Sequence, residues 1–197
     1  MTTCIFPGSF NPIHNGHINL AQYVLDNCEI DELWLMVSPE NPLKTGLYTV
    51  SAQDRLAMLN IAVKERPSLR ASDYELKLPT PTYTCNTLRS LKCDFPDRDF
   101  ALLVGADNMV VFDRWREYQF IIDNFPILVY PRPGIDIEKL QIKYPTMRIV
   151  DGAPQFEVSS TQIRQRIVNG ANCDTLLDRE VLKYIKRKKL YRVNAPK

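Results

Sequence analysis

The chain has 197 residues, 45% of them hydrophobic and 24% charged, enough to bury a core without disulfide or metal support. No stretch is apolar enough to span a bilayer, and a net charge of +2 calls for no nucleic-acid partner while leaving local groups able to handle small anions. The five cysteines, at 4, 28, 85, 93 and 173, are scattered without a Cys-x-x-Cys pair; that argues against a disulfide framework or a zinc site and fits a reducing cytoplasm.

Thr3 to Phe6 reads as a first strand and not as part of a signal peptide, because no basic leader and long apolar core flank it. Leu33 to Val37, Phe100 to Val104 and Ile127 to Tyr130 are short continuous apolar runs, the pattern of strands buried on both faces of a parallel sheet. Helical spacing lies between them. Ile18, Ala21 and Leu25 recur at i, i+3, i+7, as do Leu56, Leu59 and Val63 after a capping-box pattern at Ser51 and Asp54. Ser160 to Asn169, ended by Gly170, and Asp178 to Lys188, carrying Val181, Leu182 and Ile185, are two later helices. The basic run Lys186 to Lys189 falls at a helix end, where cations suit the dipole and face water. Without internal repeats or a linker-like tract, this alternation predicts one α/β domain over residues 1–197: a doubly wound, mostly parallel sheet with C-terminal helices, its ligands bound beyond the carboxyl ends of the strands.

Gly8-Ser9-Phe10-Asn11-Pro12-Ile13-His14-Asn15-Gly16-His17 runs from the first strand into the first helix, where backbone amides meet anions. Gly8 and Gly16 would let backbone approach a phosphate closely. Neither the Gly-x-Gly-x-x-Gly fingerprint nor a Gly-Lys-Ser/Thr loop is present, so neither hydride transfer nor a P-loop NTPase is indicated. His14 and His17, the only histidines, are three residues apart, a spacing that can aim both rings at one point ahead of the helix. Metal ligation is a rival, although no nearby Asp, Glu or Cys completes the three ligands that catalytic zinc needs. Two plain imidazoles are another, and they leave the glycines unexplained.

This segment resembles the Gly-x-Phe-x-Pro-x-His-x-Gly-His signature of the nucleotidyltransferase superfamily. The resemblance implies that His14 and His17 contact nucleotide phosphates during in-line attack on the α-phosphate, with pyrophosphate leaving, and that Gly8, Ser9 and Phe10 belong to the ATP site. Asn11 departs from the aspartate common in that superfamily. A phosphate monoester nucleophile, with a second pKa of about 6, needs no general base, so positioning and charge stabilisation suffice and no covalent intermediate is expected.

Ser159-Ser160-Thr161-Gln162-Ile163-Arg164 offers hydroxyl caps at a helix start. Alone it is a capped helix with an exposed arginine. Beside the first motif it resembles the superfamily's Ser-Ser-Thr-x-Ile-Arg segment, which implies that Ser160, Thr161 and Arg164 hold the ATP phosphates.

Further segments resemble bacterial nicotinate mononucleotide adenylyltransferases: Pro81 to Thr84, Gly105 to Asn108, Trp115 within Asp113 to Tyr118, Pro131 to Gly134 and the terminal Leu190 to Arg192. The resemblance implies a pyridine ring stacked on Trp115 and a carboxylate met by amides near Thr84. It also assigns Tyr83, Lys44 and Arg132 to the acceptor and Gly105 and Asp107 to the nucleotide, though packing, a helix cap and a plain turn explain Trp115, Thr84 and Gly-x-Asp equally. Leu43 and Arg116 depart from the family pattern, the former where a histidine is usual. Magnesium is implied with ATP, carried by phosphates and water, so no metal ligand is assigned. The rivals are phosphopantetheine adenylyltransferase, which shares the first motif but is typically shorter and lacks the Trp115 region, and a nucleotide-binding domain without turnover.

Overall fold

Thr2–Gly8 forms β1 because its residues are apolar on both faces and find strands on both sides: β2, Glu32–Val37, and β4, Asp99–Gly105, both parallel to it. The computed structural model describes residues 1–39, 50–155 and 158–191. In chain order the remaining elements are α1 (Asn15–Asn27), α2 (Ala52–Val63), β3 (Leu69–Ser72), a 3-10 turn at Tyr74–Lys77, α3 (Thr84–Asp94), α4 (Ala106–Val110) and a 3-10 turn at Phe112–Arg114. Then come α5 (Tyr118–Asn124), β5 (Ile127–Tyr130), α6 (Ile137–Lys143), β6 (Arg148–Ile149), α7 (Ser160–Val168) and α8 (Arg179–Lys188).

The strand order is β3-β2-β1-β4-β5-β6, and every pairing is parallel. Among the described residues the sheet is therefore wholly parallel, where the sequence predicts a mostly parallel one. Its order is that of the doubly wound dinucleotide-binding folds, whose direction reverses between β1 and β4. Successive strand residues feed opposite layers. Phe6, Leu33, Leu35, Val37 and Leu103 join one apolar cluster with Val24, Leu59 and Ile163, while Ile5, Trp34, Met36 and Leu102 join a second with Leu88 and Phe112.

The two edge strands, β3 and β6, are not legible as apolar runs. β3 alternates buried ends with a more exposed middle, and β6 has two residues, neither fully buried. The predicted later helices both form. Ser159 and Gln162 close a reciprocal box at the start of α7, and Asp178 accepts from the amides of Glu180 and Val181 at the start of α8. Tyr184 of α8 donates to the Asp54 carboxylate of α2 at 2.7 Å, which fixes the terminal helix over that layer.

Candidate active site

A cleft of about 630 Å³ opens where the strand order reverses. Gly8 at the end of β1, Ser38 after β2, Gly105 at the end of β4 and Tyr130 at the end of β5 all line it. A smaller cavity of about 180 Å³ adjoins it, sharing Tyr130 and Ser160 and lined further by His14, His17, Arg132 and Ser159. A larger apolar cavity of about 770 Å³ lies at the opposite end of the strands, around Thr2, Asp99 and Phe100, away from both motifs.

The first motif is held by packing beneath it. Phe10 adopts a left-handed backbone (φ 44°), a strained conformation for an aromatic residue, and it is only 2% exposed. Its ring lies edge-on to Phe6 and to His17, centroids 5.7 and 5.2 Å away. A Cβ on Gly8 would sit 2.9 Å from that ring, so glycine there makes room for Phe10 first. The Phe10 side chain is therefore core and packs under His17, which leaves its backbone as the part of the residue that faces the loop.

His14 caps α1 in an extended conformation, and its backbone N–H donates to Nδ1 of His17 at 3.3 Å. That bond leaves Nε2 of His17 as the protonated, donating nitrogen of a neutral ring. Burial lowers the His14 pKa to about 4, with the Arg132 cation adding to the effect. Burial, then His14, then Arg132 hold His17 well below the ordinary imidazole range. Both rings are thus neutral N–H donors at neutral pH.

The second motif reaches the first through space. Ser160 Oγ donates to the Pro12 carbonyl at 3.0 Å, and Arg164 donates to the Asn11 carbonyl at 2.7 Å and to Thr161 Oγ1 at 3.0 Å. Tyr191, 4% exposed, donates to Asn11 Oδ1 at 2.7 Å, so the residue that departs from the family's aspartate is an acceptor for a tyrosine 180 positions away.

Gly8, Ser9, Gly105, Thr84, Trp115, Ser160, Thr161 and Arg164 are brought together along the larger cleft. A Cβ on Gly105 would collide with the Asp107 carboxylate and press on the Tyr130 ring, which explains glycine at that strand end. Trp115 is partly buried, its ring 5.0 Å from Phe112. Asp107 and Arg132, predicted to serve different substrates, form one ion pair at 3.6 Å across β4 and β5, and Arg132 also donates to Tyr130 Oη at 3.2 Å. Of the acceptor residues, Arg132 lines only the smaller cavity, and Tyr83 lines neither. Tyr83 stands before α3, 36% exposed, with the Arg116 guanidinium 4.9 Å from its ring centroid. Lys44 and Leu43 lie outside the described residues.

Two cleft residues escape sequence reasoning. Arg55, 2% exposed in the first turns of α2, donates to the carbonyls of Ser9 (2.7 Å) and Ser38 (2.9 Å), tying the first motif to the exit of β2. Glu75, 6% exposed in the first 3-10 turn, accepts from Thr87 Oγ1 at 3.1 Å. Both are charged residues that nothing local in the sequence marks as buried.

The cytidylyltransferase-like family model matches residues 5–166. A Bacteroides fragilis protein named "Probable nicotinate-nucleotide adenylyltransferase" is 44% identical over 183 residues, 93% of this chain and 90% of the relative. A Flavobacterium psychrophilum protein of the same name is 40% identical over 189 residues, 95% and 97% of the two chains. Among solved structures, Plasmodium falciparum nicotinic acid mononucleotide adenylyltransferase complexed with NaAD superposes with a TM-score of 0.80 at 20% identity, covering 96% of this chain and 97% of that one, a likeness of fold.

Proposed function

Because the chain belongs to the nicotinate-nucleotide adenylyltransferase family of the cytidylyltransferase-like proteins, we propose that its two motifs carry adenylyl transfer from ATP to nicotinate mononucleotide. The products are nicotinate adenine dinucleotide and pyrophosphate, and the reaction is a step of NAD biosynthesis. The observation that carries the division of labour is the wall shared by His14, His17, Ser159 and Ser160, residues from motifs more than 140 positions apart in the sequence.

The acceptor's phosphate oxygen attacks the α-phosphorus of ATP, the bond to the bridging oxygen breaks, and pyrophosphate leaves in line. A phosphate monoester is largely ionised at neutral pH, so no side chain has to remove a proton. The chain's part is to hold the two phosphates together and to donate to oxygens that gain charge. His14 and His17 do so as neutral imidazoles. Arg164, Ser160 and Thr161 hold the triphosphate from the start of α7, whose amides add donors of the same sign. Amides at the start of α3, beside Thr84, face the nicotinate carboxylate, and Trp115 covers the ring.

Magnesium would be carried in with ATP. The groups around the phosphate position are imidazole, hydroxyl, amide and guanidinium donors, which suit phosphate oxygens, and among the described residues no cluster of three or more His, Cys, Asp or Glu could hold a metal ion. A cation carried by ATP would be held by phosphate oxygens and water beside these donors and would supply charge neutralisation on the leaving group. Two core clusters on one sheet support a single nucleotidyltransferase domain over residues 1–197. The five free thiols, three of them buried, support a reducing cytoplasm.

The test is pyrophosphate release from magnesium-ATP with nicotinate mononucleotide, nicotinamide mononucleotide or phosphopantetheine offered separately. Nicotinate mononucleotide is expected to give the highest kcat/KM. Preference for phosphopantetheine overturns the acceptor, and silence with all three overturns the enzyme.

A further inference from the structure

Glu75 has a feature that its brace on α3 does not explain. The carboxyl is approached by the Ser38 and Thr87 hydroxyls, with Thr87 donating to Oε1, while Oε2 is buried and has no hydrogen-bond partner among the described residues. The side chain is 6% exposed and lines the same cleft as Ser38, Thr84 and Trp115. A buried acceptor without a donor is costly, and a carboxylate oxygen more so than a neutral one. Because the residue lines the cleft, a ligand that brings a donor and meets the carboxyl as it seats would satisfy that atom.

The chemistry of the acceptor substrate says which donor. The pyridinium ring of a nicotinate nucleotide carries no N–H, its carboxylate is ionised, and its phosphate is largely a dianion at neutral pH. Its permanent O–H donors are the two ribose hydroxyls. A carboxylate is repelled by both anionic ends of that molecule, so its place is beside the sugar between them. We infer that Glu75 is a substrate-binding residue whose Oε2 accepts a hydrogen bond from a ribose hydroxyl of the acceptor mononucleotide. The Thr87 bond then holds the carboxyl in line with the first turn of α3, so one residue sets the sugar against the helix end that meets the pyridine carboxylate.

Burial raises the Glu75 carboxyl, and the Ser38 and Thr87 hydroxyls draw it back toward the ionised, accepting form. A ribose hydroxyl acts in the same sense as those two and completes the set.

This inference rests on the acceptor proposed above, and the experiment separates the two. Wild-type, Glu75→Gln and Glu75→Ala chains are assayed with nicotinate mononucleotide and its 2′-deoxy and 3′-deoxy analogues, with 2′-deoxy-ATP and 3′-deoxy-ATP as donor-side controls. In the wild type, removing the correct hydroxyl should lower kcat/KM by about 10- to 100-fold, the range of a hydrogen bond to a charged group. That penalty should shrink in Glu75→Gln, a near-isosteric change that keeps the Thr87 brace, and vanish in Glu75→Ala. A wild type inactive on nicotinate mononucleotide overturns the acceptor. An active wild type whose penalty persists in Glu75→Gln, or in a folded Glu75→Ala, overturns the role of Glu75. So does a change in discrimination against a deoxy-ATP in place of the deoxy acceptors.

Discussion

The imidazoles of His14 and His17 lie face to face, ring centroids 3.7 Å apart and inclined by 32°, with the backbone amide of the first bonded to the ring of the second. Two cations could not share that spacing in a buried site, and burial lowers both pKa values, so both rings are neutral at neutral pH. The stack defines a pair of N–H donors whose protonation is suppressed by the protein itself.

Titration of the histidine ring signals by NMR should therefore give a His14 midpoint of about 4 in the free protein. Pyrophosphate or ATP should move it upward, because a bound anion favours the charged form. Stability follows the same linkage. The folded-state pKa lies below the unfolded value, so the contribution is complete above about pH 6.5 and is lost as pH falls toward 4, by roughly 3 kcal/mol for His14. A midpoint near 6.5, or stability unchanged between pH 7 and 4.5, contradicts this picture.

His17→Ala should lower turnover by about 10²- to 10³-fold, the usual consequence of losing one preorganised donor. Circular dichroism should remain native, since Phe10 is also held by Phe6. Near-normal turnover would remove the phosphate-donor role.

Arg164→Lys should not restore what Arg164→Ala loses. The guanidinium spans the Asn11 carbonyl and Thr161 Oγ1 in one plane, and a lysine ammonium cannot reach both while still facing phosphate. The expected fall in kcat/KM for ATP is about tenfold or more for either variant. Full activity in Arg164→Lys would leave only a charge requirement.

Arg55→Met should destabilise the fold by about 2 to 4 kcal/mol, measured by urea unfolding at pH 7, because the carbonyls of Ser9 and Ser38 lose their shared donor inside the protein. A change within about 0.5 kcal/mol would show that water replaces the guanidinium.

What the sequence by itself determined is the chemistry carried by short segments. His14 and His17 fall within one helical turn of each other, and Ser160, Thr161 and Arg164 within the first turns of α7, so each motif is legible as a short segment whose resemblance to the superfamily signatures implies its purpose. The buried parallel strands are equally plain, because burial on both faces requires an unbroken apolar run. The tertiary structure decided everything that depends on which layer covers which. Edge strands β3 and β6 carry too few buried residues to announce themselves. The Phe10 side chain of the first motif is packed in the core, and Arg55 and Glu75, which no local pattern marks as buried, line the cleft. Asn11 meets Tyr191 and Arg164 only because the chain's last elements fold back over its first loop. The physical reason is the same in each case. Residue type and local period fix what a segment offers, but solvation, and with it the charge state of His14, His17 and Glu75, is set by neighbours remote in sequence.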